Sequence, residues 1–278
     1  MITPECFLEV VRLLEPEPIL ALDIESTGTK IFQGDKIFSI ILADAQNEYY
    51  FDIRKHPEFL KDLPTHLNVR PRTYRIHNAL FDSTFLEHYG WTLNGVVWCT
   101  LSMERVLDPN HFKYDLDSCA KRRGWVKDDQ VKKYITKHKL YRLERDKKVP
   151  CFDQVPDEIL IPYALKDARL CYDIGQDQYD KFQAMEKASK DTAMPSIMNV
   201  VTNELKLTPL LIGMKEYGIK INRKHCLESL AHEKERMRKA EQEFLNLTGE
   251  EFSVSFKTMQ KVFLQDKATA PDDREFRR

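Results

Sequence analysis

The chain alternates between runs that are apolar without a break and stretches where apolar residues recur every three or four positions. Ile19, Leu20, Ala21 and Leu22 form an unbroken run between Pro18 and Gly28, the pattern of a strand covered on both faces. Residues 37–43 (IFSIILA) and 48–53 (EYYFDI) flank the polar Asp44-Ala45-Gln46-Asn47. Two such runs around a short polar turn predict a hairpin, so the first three strands form an antiparallel meander. Residues 73–76 and 96–98 predict two more strands. Helical spacing appears at Phe7, Leu8, Val11 and Leu14, and again at Leu80, Phe81, Phe85 and Leu86 before a stop at Gly90. It returns over residues 101–107, 116–123 and 157–185. Strands followed by strands alternating with helices predict an α/β domain built on a mixed, five-stranded sheet flanked by helices.

Beyond residue 187 the pattern is helical only, a smaller C-terminal segment of two long helices. Ile197, Val200, Val201 and Leu205 make one stripe, Pro209 predicts a kink, and Gly218 predicts an end. Asn222 then caps a charged helix reaching about residue 247. Residues 267–278 are charged without apolar periodicity, which predicts a flexible tail.

The central apolar run ends in Asp23-Ile24-Glu25. Alternate strand residues project to the same side, so the two acids point into one spot, where their charges repel unless a cation lies between them. A hard divalent ion suits two carboxylates. Alone, such a triplet is also what an acid-rich surface shows by accident. Two later segments supply partners: Asn78 to Asp82 opening a helix, and Tyr163 with Asp167 four residues apart on one helical face. Three such motifs in this order are far less easily accidental than any one of them.

Composition narrows the field without deciding it. With 42% hydrophobic and 31% charged residues the chain can bury a full core, and a net charge of −1 offers no global attraction for nucleic acid. Cys6, Cys99, Cys119, Cys151, Cys171 and Cys226 are scattered without metal spacing, as reduced structural thiols are. No apolar run approaches the ~20 residues that span a membrane, and residues 1–17 lack the basic-then-apolar order of a leader. The expectation is a protein that is not exported and has no membrane partner.

Charge is instead local. Residues 121–148 hold twelve Lys or Arg against four Asp or Glu, an excess of eight, with Trp125, Tyr134 and Tyr141 interleaved. Such a run is either the solvated face of a helix or a surface for phosphates and stacked bases.

Taken together, Asp23-Ile24-Glu25, Asn78 to Asp82 and Tyr163 to Asp167 resemble the motifs of the DEDD superfamily of 3'-5' exonucleases, in its tyrosine-bearing branch. The resemblance covers about residues 15–185 and implies an RNase H-like fold. Residues 111–120 (HFKYDLDSCA) are similar to the "Y-x-L-x-x-L-A" helix of the proofreading domain of family A DNA polymerases. Residues 204–222 (ELKLTPLLIGMKEYGIKIN) resemble the same family's "E-x-x-L-x-P-x-L-x-x-M-E-x-x-G-I-x-I-D", and 249–255 its entry to the thumb. The resemblance divides the chain into a 3'-5' exonuclease domain, residues 1–186, and the start of a polymerase thumb, residues 187–278. Two positions depart from the pattern: Thr29 stands where a leucine often wedges the terminal base, and Cys99-Thr100 where Asp-Thr is usual. The polymerase signatures are absent, so DNA synthesis is not expected of this chain by itself.

The resemblance implies phosphodiester hydrolysis with two divalent cations, Mg²⁺ or in its place Mn²⁺, ~3.5–4 Å apart. Asp23 would bridge them, Glu25 and Asp167 would hold the one beside the attacking water, and Asp82 the other. Tyr163 would orient that water and help to take its proton. Thr27, His77, Asn78 and Phe81 are candidates for placing substrate; His77 reads at least as well as a core or helix-start residue, and Phe81 reads first as a core residue and second as a contact for the terminal base. The implied substrate is a single-stranded or frayed DNA 3' end, in replication or repair in the cytoplasm of a bacterium or of a phage-infected host. The implied partner is a polymerase, as a separate subunit or as the other half of a longer chain. Two alternatives stay open: an RNA-trimming exonuclease of the RNase D kind, and a catalytically silent scaffold.

Overall fold

A strand buried on both faces needs neighbours on both edges, and Ile19–Ser26 (β1) has them at the centre of a five-stranded sheet of order β3-β2-β1-β4-β5. The structure, a computed structural model, describes residues 2–126, 128–144, 147–189 and 195–255. Pro4–Leu14 (α1) precedes β1, and Ile37–Ala43 (β2) and Glu48–Asp52 (β3) follow it as the antiparallel meander read from the sequence. Phe59–Leu67 (α2) leads to Arg72–Ile76 (β4), Ala79–His88 (α3) and Gly95–Cys99 (β5). β4 runs parallel to both β1 and β5. Then come Thr100–Leu107 (α4), Leu116–Arg122 (α5), Gln130–His138 (α6) and a hairpin of Tyr141–Glu144 (β6) with Lys147–Pro150 (β7). Asp157–Ser189 (α7), Ile197–Tyr217 (α8) and Arg223–Thr248 (α9) complete the described elements.

The alternation of β1 sets up two cores. Leu20, Leu22 and Ile24 pack on one face with Phe7 and Leu14 of α1, Phe59 and Leu63 of α2, and Phe85 of α3. Ala21 faces the other way, with Phe38 and Ile41 of β2, Val131 and Ile135 of α6, and Leu160, Ala164 and Ala168 of α7. Each fully buried leucine or phenylalanine here contributes roughly 1.5–3 kcal/mol. Asp23 and Glu25 share the parity of Ala21, so β1 delivers them to the α7 side.

Three contacts fix α7 over that face. Asp157, in its first turn, accepts from Arg54 Nη2 and Lys55 Nζ, both at 2.7 Å, which ties the helix to the end of β3. Arg75 of β4 donates to the Tyr172 carbonyl (2.9 Å) and to Gln176 Oε1 (2.7 Å). Gly175 lets the helix approach, because a Cβ there would meet Arg75 Cδ at 2.5 Å.

Several elements were not legible. α2 contains Pro64 and is short, although Phe59, Leu63 and Leu67 stand four apart and all are buried. The β6–β7 hairpin is four residues a side and polar. α8 runs unbroken through Pro209, and within the expected stripe Val201 is buried while Val200 is 46% exposed.

The compact unit that holds the sheet extends to Gly218, because α8 packs on α3, α4, α7 and β5. The second unit contains α9, capped by the Asn222 side chain, which accepts from the His225 N–H at 3.1 Å, and ended by left-handed Gly249. None of the α9 residues is buried. The expected tail at 267–278 lies outside the described residues. Among the described residues no helix is long and apolar enough to cross a membrane.

Candidate active site

The site forms where β1 outruns its neighbour. Pairing of β1 with β4 ends at Ala21–Arg75, whereas β1 continues to Ser26 against β2, with a bulge at Glu25–Ser26. From residue 22 onward the β4 edge of β1 is therefore open for another group. Asp82 takes it: its Oδ1 accepts the Ile24 N–H at 3.1 Å, between the two acids of the D-x-E triplet. This is the carboxyl end of the parallel strands, at the point where the chain leaves β1 for one side and β4 for the other, the usual place for a site in such a sheet.

The local sequence explains how Asp82 arrives there. Asn78 adopts a left-handed conformation (φ 61°, ψ 49°), which asparagine tolerates, and turns the chain from β4 into α3. Cys99 Sγ accepts the Ala79 N–H at 3.4 Å and so steadies the first turn of α3, in which Asp82 is 2% exposed. An acceptor thus stands at the position where the sequence departs from Asp-Thr. His77 Nδ1 lies 2.9 Å from the Thr100 hydroxyl.

The electrostatics report one shared neighbourhood. Burial, and then the charge of Asp23, push the Asp82 carboxyl well above the usual carboxylate range. Tyr163 is 5% exposed, and its phenol is pushed up by burial and by the charges of Asp167, Glu25 and Asp23. It hydrogen-bonds Asp167, itself 5% exposed, so a protonated phenol donates to that carboxylate. Burial and Asp23 likewise raise the Cys171 thiol, a neighbour of the acids that the sequence did not single out. Asp82 and Tyr163 thus both lie within reach of the Asp23 charge, and Tyr163 within reach of Glu25 and Asp167 as well.

The remaining candidates are placed as follows. Thr27 is bound into its own loop: its hydroxyl accepts the Lys36 N–H at 3.0 Å and lies 3.4 Å from Asp35 Oδ1. Asn78 is exposed, and Phe81 packs on the core, its ring 4.9 Å from that of Phe85. Thr29 is exposed. In the basic stretch, Lys121, Arg122, Arg123, Lys133 and Arg142 are engaged by acids. Trp125 packs beside Leu116 and Cys119, and Tyr134 stacks on His138 at 4.1 Å. Much of the segment's chemistry is thereby structural, while Lys132, Lys137, Lys139, Lys147 and Lys148 remain exposed.

The donor set suits a divalent cation. It consists of hard carboxylate oxygens, and a cation beside them would offset both the burial and the Asp23 charge that raise Asp82. Among the described residues no three ligating groups stand close enough as placed to hold one ion, so the acids are gathered without forming a closed ligand set.

A family model described as "3'-5' exonuclease" matches residues 2–183. The chain belongs to this exonuclease family. Every acid discussed above, and Tyr163, falls inside the matched span. The chain is 29% identical over 232 residues to the DNA polymerase DpoZ of Salmonella phage PMBT28, covering 80% of this chain and 33% of that protein. It is 27% identical over 184 residues to DNA polymerase I of Pseudomonas aeruginosa, covering 64% and 18%. The chain thus spans about a third of the first relative's length. Among solved structures, the POL domain of Pol1 from M. smegmatis superposes with a TM-score of 0.58 at 15% identity, covering 95% of this chain and 40% of that one. Brucella melitensis NrnC gives 0.54 at 14% identity, covering 73% and 88%. At these identities the superpositions establish the exonuclease fold, a mixed five-stranded sheet flanked by helices.

Proposed function

We propose that this exonuclease removes nucleotides from single-stranded or frayed DNA 3' ends with the help of divalent cations, as the proofreading part of a family A DNA polymerase. The observation that carries the reading is the tether of Asp82 to the backbone between Asp23 and Glu25, which joins two distant motifs at one strand end. The phage and bacterial polymerases among its relatives support the polymerase context. On this reading residues 1–186 form the exonuclease domain, residues 187–278 lead towards a thumb, and the partner is the polymerase portion that the longer relatives carry. The setting would be the cytoplasm of a bacterium or of an infected host.

Asp23, Glu25, Asp82 and Asp167 would hold the cations, Mg²⁺ or Mn²⁺. When bound, these acidify water and neutralise charge growing on the phosphate. The protein's own contributions follow from its geometry. The Ile24 N–H fixes one Asp82 oxygen at the end of β1, between Asp23 and Glu25. Tyr163, kept protonated, acts as a donor that orients Asp167 and neighbouring oxygens rather than as the base. Asn78, exposed at the mouth of α3, and Phe81 behind it would meet the terminal nucleotide; His77, through Thr100, and Thr27, through its loop, would support the walls.

A second reading is trimming of RNA, whose phosphodiester the same four acids would serve and which differs from DNA at this site by its 2'-hydroxyl. One experiment separates the two: digestion of a 5'-labelled single-stranded DNA beside a matched RNA, with Mg²⁺ or with EDTA, and with Asp23→Ala as control. A descending DNA ladder that requires both metal and Asp23 is the expected result. A ladder on RNA alone moves the assignment to RNA, and equal digestion by Asp23→Ala refutes the site.

A further inference from the structure

The β6–β7 hairpin is tied to the loop that follows the D-x-E strand. Arg142 donates through Nη2 to Asp35 Oδ1 at 2.5 Å and through Nε to Glu144 Oε1 at 2.8 Å, and Lys30 pairs with Glu144. Asp35, 8% exposed, also accepts the Lys30 backbone N–H at 2.8 Å. Gly28 lies against this knot of charges: a Cβ there would overlap both Arg142 Nη2 and the Asp35 carboxylate, so glycine is what leaves room for them. At the other end, β7 runs on to Phe152, whose ring lies 6.4 Å from that of Tyr163. The hairpin is thereby anchored beside Thr27 at one end and beside Tyr163 at the other.

Its register sorts the side chains into two faces. Arg142 and Glu144, opposite Val149 and Lys147, face the loop. Tyr141 and Leu143, opposite Pro150 and Lys148, face away from it. Leu143 is 76% exposed and Tyr141 37%, and Lys139 and Lys148 are exposed beside them. Large apolar groups among lysines are poorly matched to water. They are well matched to an unpaired strand, whose bases offer apolar faces and whose phosphates offer negative charge.

We propose that this outer face of the β6–β7 hairpin binds the single strand leading to the 3' end, and that Arg142 and Asp35 latch it beside the acids. The proposal rests on the exonuclease function above and names the element that grips its substrate. A duplex is a poorer fit, since its bases are stacked and cannot lie on Leu143 or Tyr141.

The test has two arms, run on the whole chain. The first measures binding of a fluorescent single-stranded DNA dodecamer in EDTA. The second measures Mg²⁺-dependent turnover of the dodecamer against a dinucleotide. Tyr141→Ala with Leu143→Glu should weaken dodecamer binding about tenfold and lower the dodecamer-to-dinucleotide preference by a similar factor. Lys139→Gln with Lys148→Gln should flatten the slope of log Kd against log salt by about 1.4. Gly28→Ala, which alters no charge and displaces Arg142, should weaken dodecamer binding in the same direction. The altered surface side chains are exposed, and unchanged melting curves verify the fold. Dodecamer binding within about twofold of wild type in the Tyr141/Leu143 variant overturns the proposal, as does an equal loss on dodecamer and dinucleotide. The binding arm needs no turnover, so variant-specific loss in a protein that cuts nothing would support the hairpin surface while refuting the exonuclease.

Discussion

Two carboxylates are buried in the same α/β unit, and their surroundings treat them in opposite ways. Glu104 of α4 is 5% exposed and accepts from Arg122, Arg123 and Gln178 at 2.8–3.2 Å. Burial alone would raise its pKa, but the hydrogen bonds from Arg123 and Gln178, the Arg123 charge and the Arg122 bond outweigh it and bring the group down to about 2. Asp82, 2% exposed, has burial and the Asp23 charge acting together, and its pKa rises. One acid is neutralised from within the protein. The other is held where charge accumulates, an arrangement that folding alone does not favour and that a bound cation would repay.

Neutralising each acid in turn tests that contrast. Glu104→Ala should have the larger effect on the fold. It leaves Arg122 and Arg123 without their shared acceptor, Arg123 being nearly buried, and should cost about 3–5 kcal/mol in chemical denaturation. Activity per folded molecule should be retained, because α4 supplies none of the proposed ligands. Asp82→Asn should do the reverse. Exonuclease turnover should fall by roughly 10²–10³-fold, in line with losing one preorganised electrostatic group. In metal-free buffer the same variant should be more stable by about 0.5–2 kcal/mol, since strained functional sites are where such gains lie. An Asp82→Asn protein less stable than wild type in EDTA would erase the distinction between the two centres.

Tyr163→Phe is a smaller perturbation of the same centre. The phenol is held protonated and donates to Asp167, so its removal deprives a carboxylate of one donor without changing any charge. Steady-state kinetics should show kcat reduced about tenfold with KM little changed. A loss of comparable size in KM alone would make Tyr163 a substrate contact instead.

The contrast also explains what the sequence could show. The meander, β4, α3 and α7 were legible because apolar alternation and helical spacing are local, and the D-x-E triplet was legible because strand parity places Asp23 and Glu25 together. The pairing of Glu104 with Arg122 and Arg123 was not, since residues 18 and 19 apart in sequence meet only when α4 and α5 fold onto α7. The stretch from 121 to 148 looked uniformly basic for the same reason: the acids that engage Arg122, Arg123 and Arg142 include Glu104, Asp177 and Asp35, from other parts of the chain. Asp35 and Gly28 carried no periodic signal, and neither did the Ile24 N–H, which is available to Asp82 only because β4 stops short.

The smallest expected effect is the shape of stability against pH in EDTA. A group whose folded pKa lies below its unfolded value stabilises the protein above the unfolded value and ceases to do so as pH falls through the folded one. For Glu104 that window runs from the ordinary 4.5 down to about 2. Asp82 has the opposite sign: its folded pKa is raised, so stability is greater at low pH and is lost as pH climbs through the raised value. Melting curves should therefore give a dome, with one limb at low pH from Glu104 and an opposing limb at higher pH from Asp82. Glu104→Gln should flatten the acid limb only in part, because Asp52, fully buried, and Asp157 are also held low by Arg54 and Lys55. Asp82→Asn should flatten the higher-pH limb and leave the acid one unchanged. Saturating Mg²⁺ should act on wild type as Asp82→Asn acts in EDTA, because a cation among the acids favours the charged form that burial opposes. A higher-pH limb that survives both treatments would mean that the buried charge responsible sits elsewhere than at the end of β1.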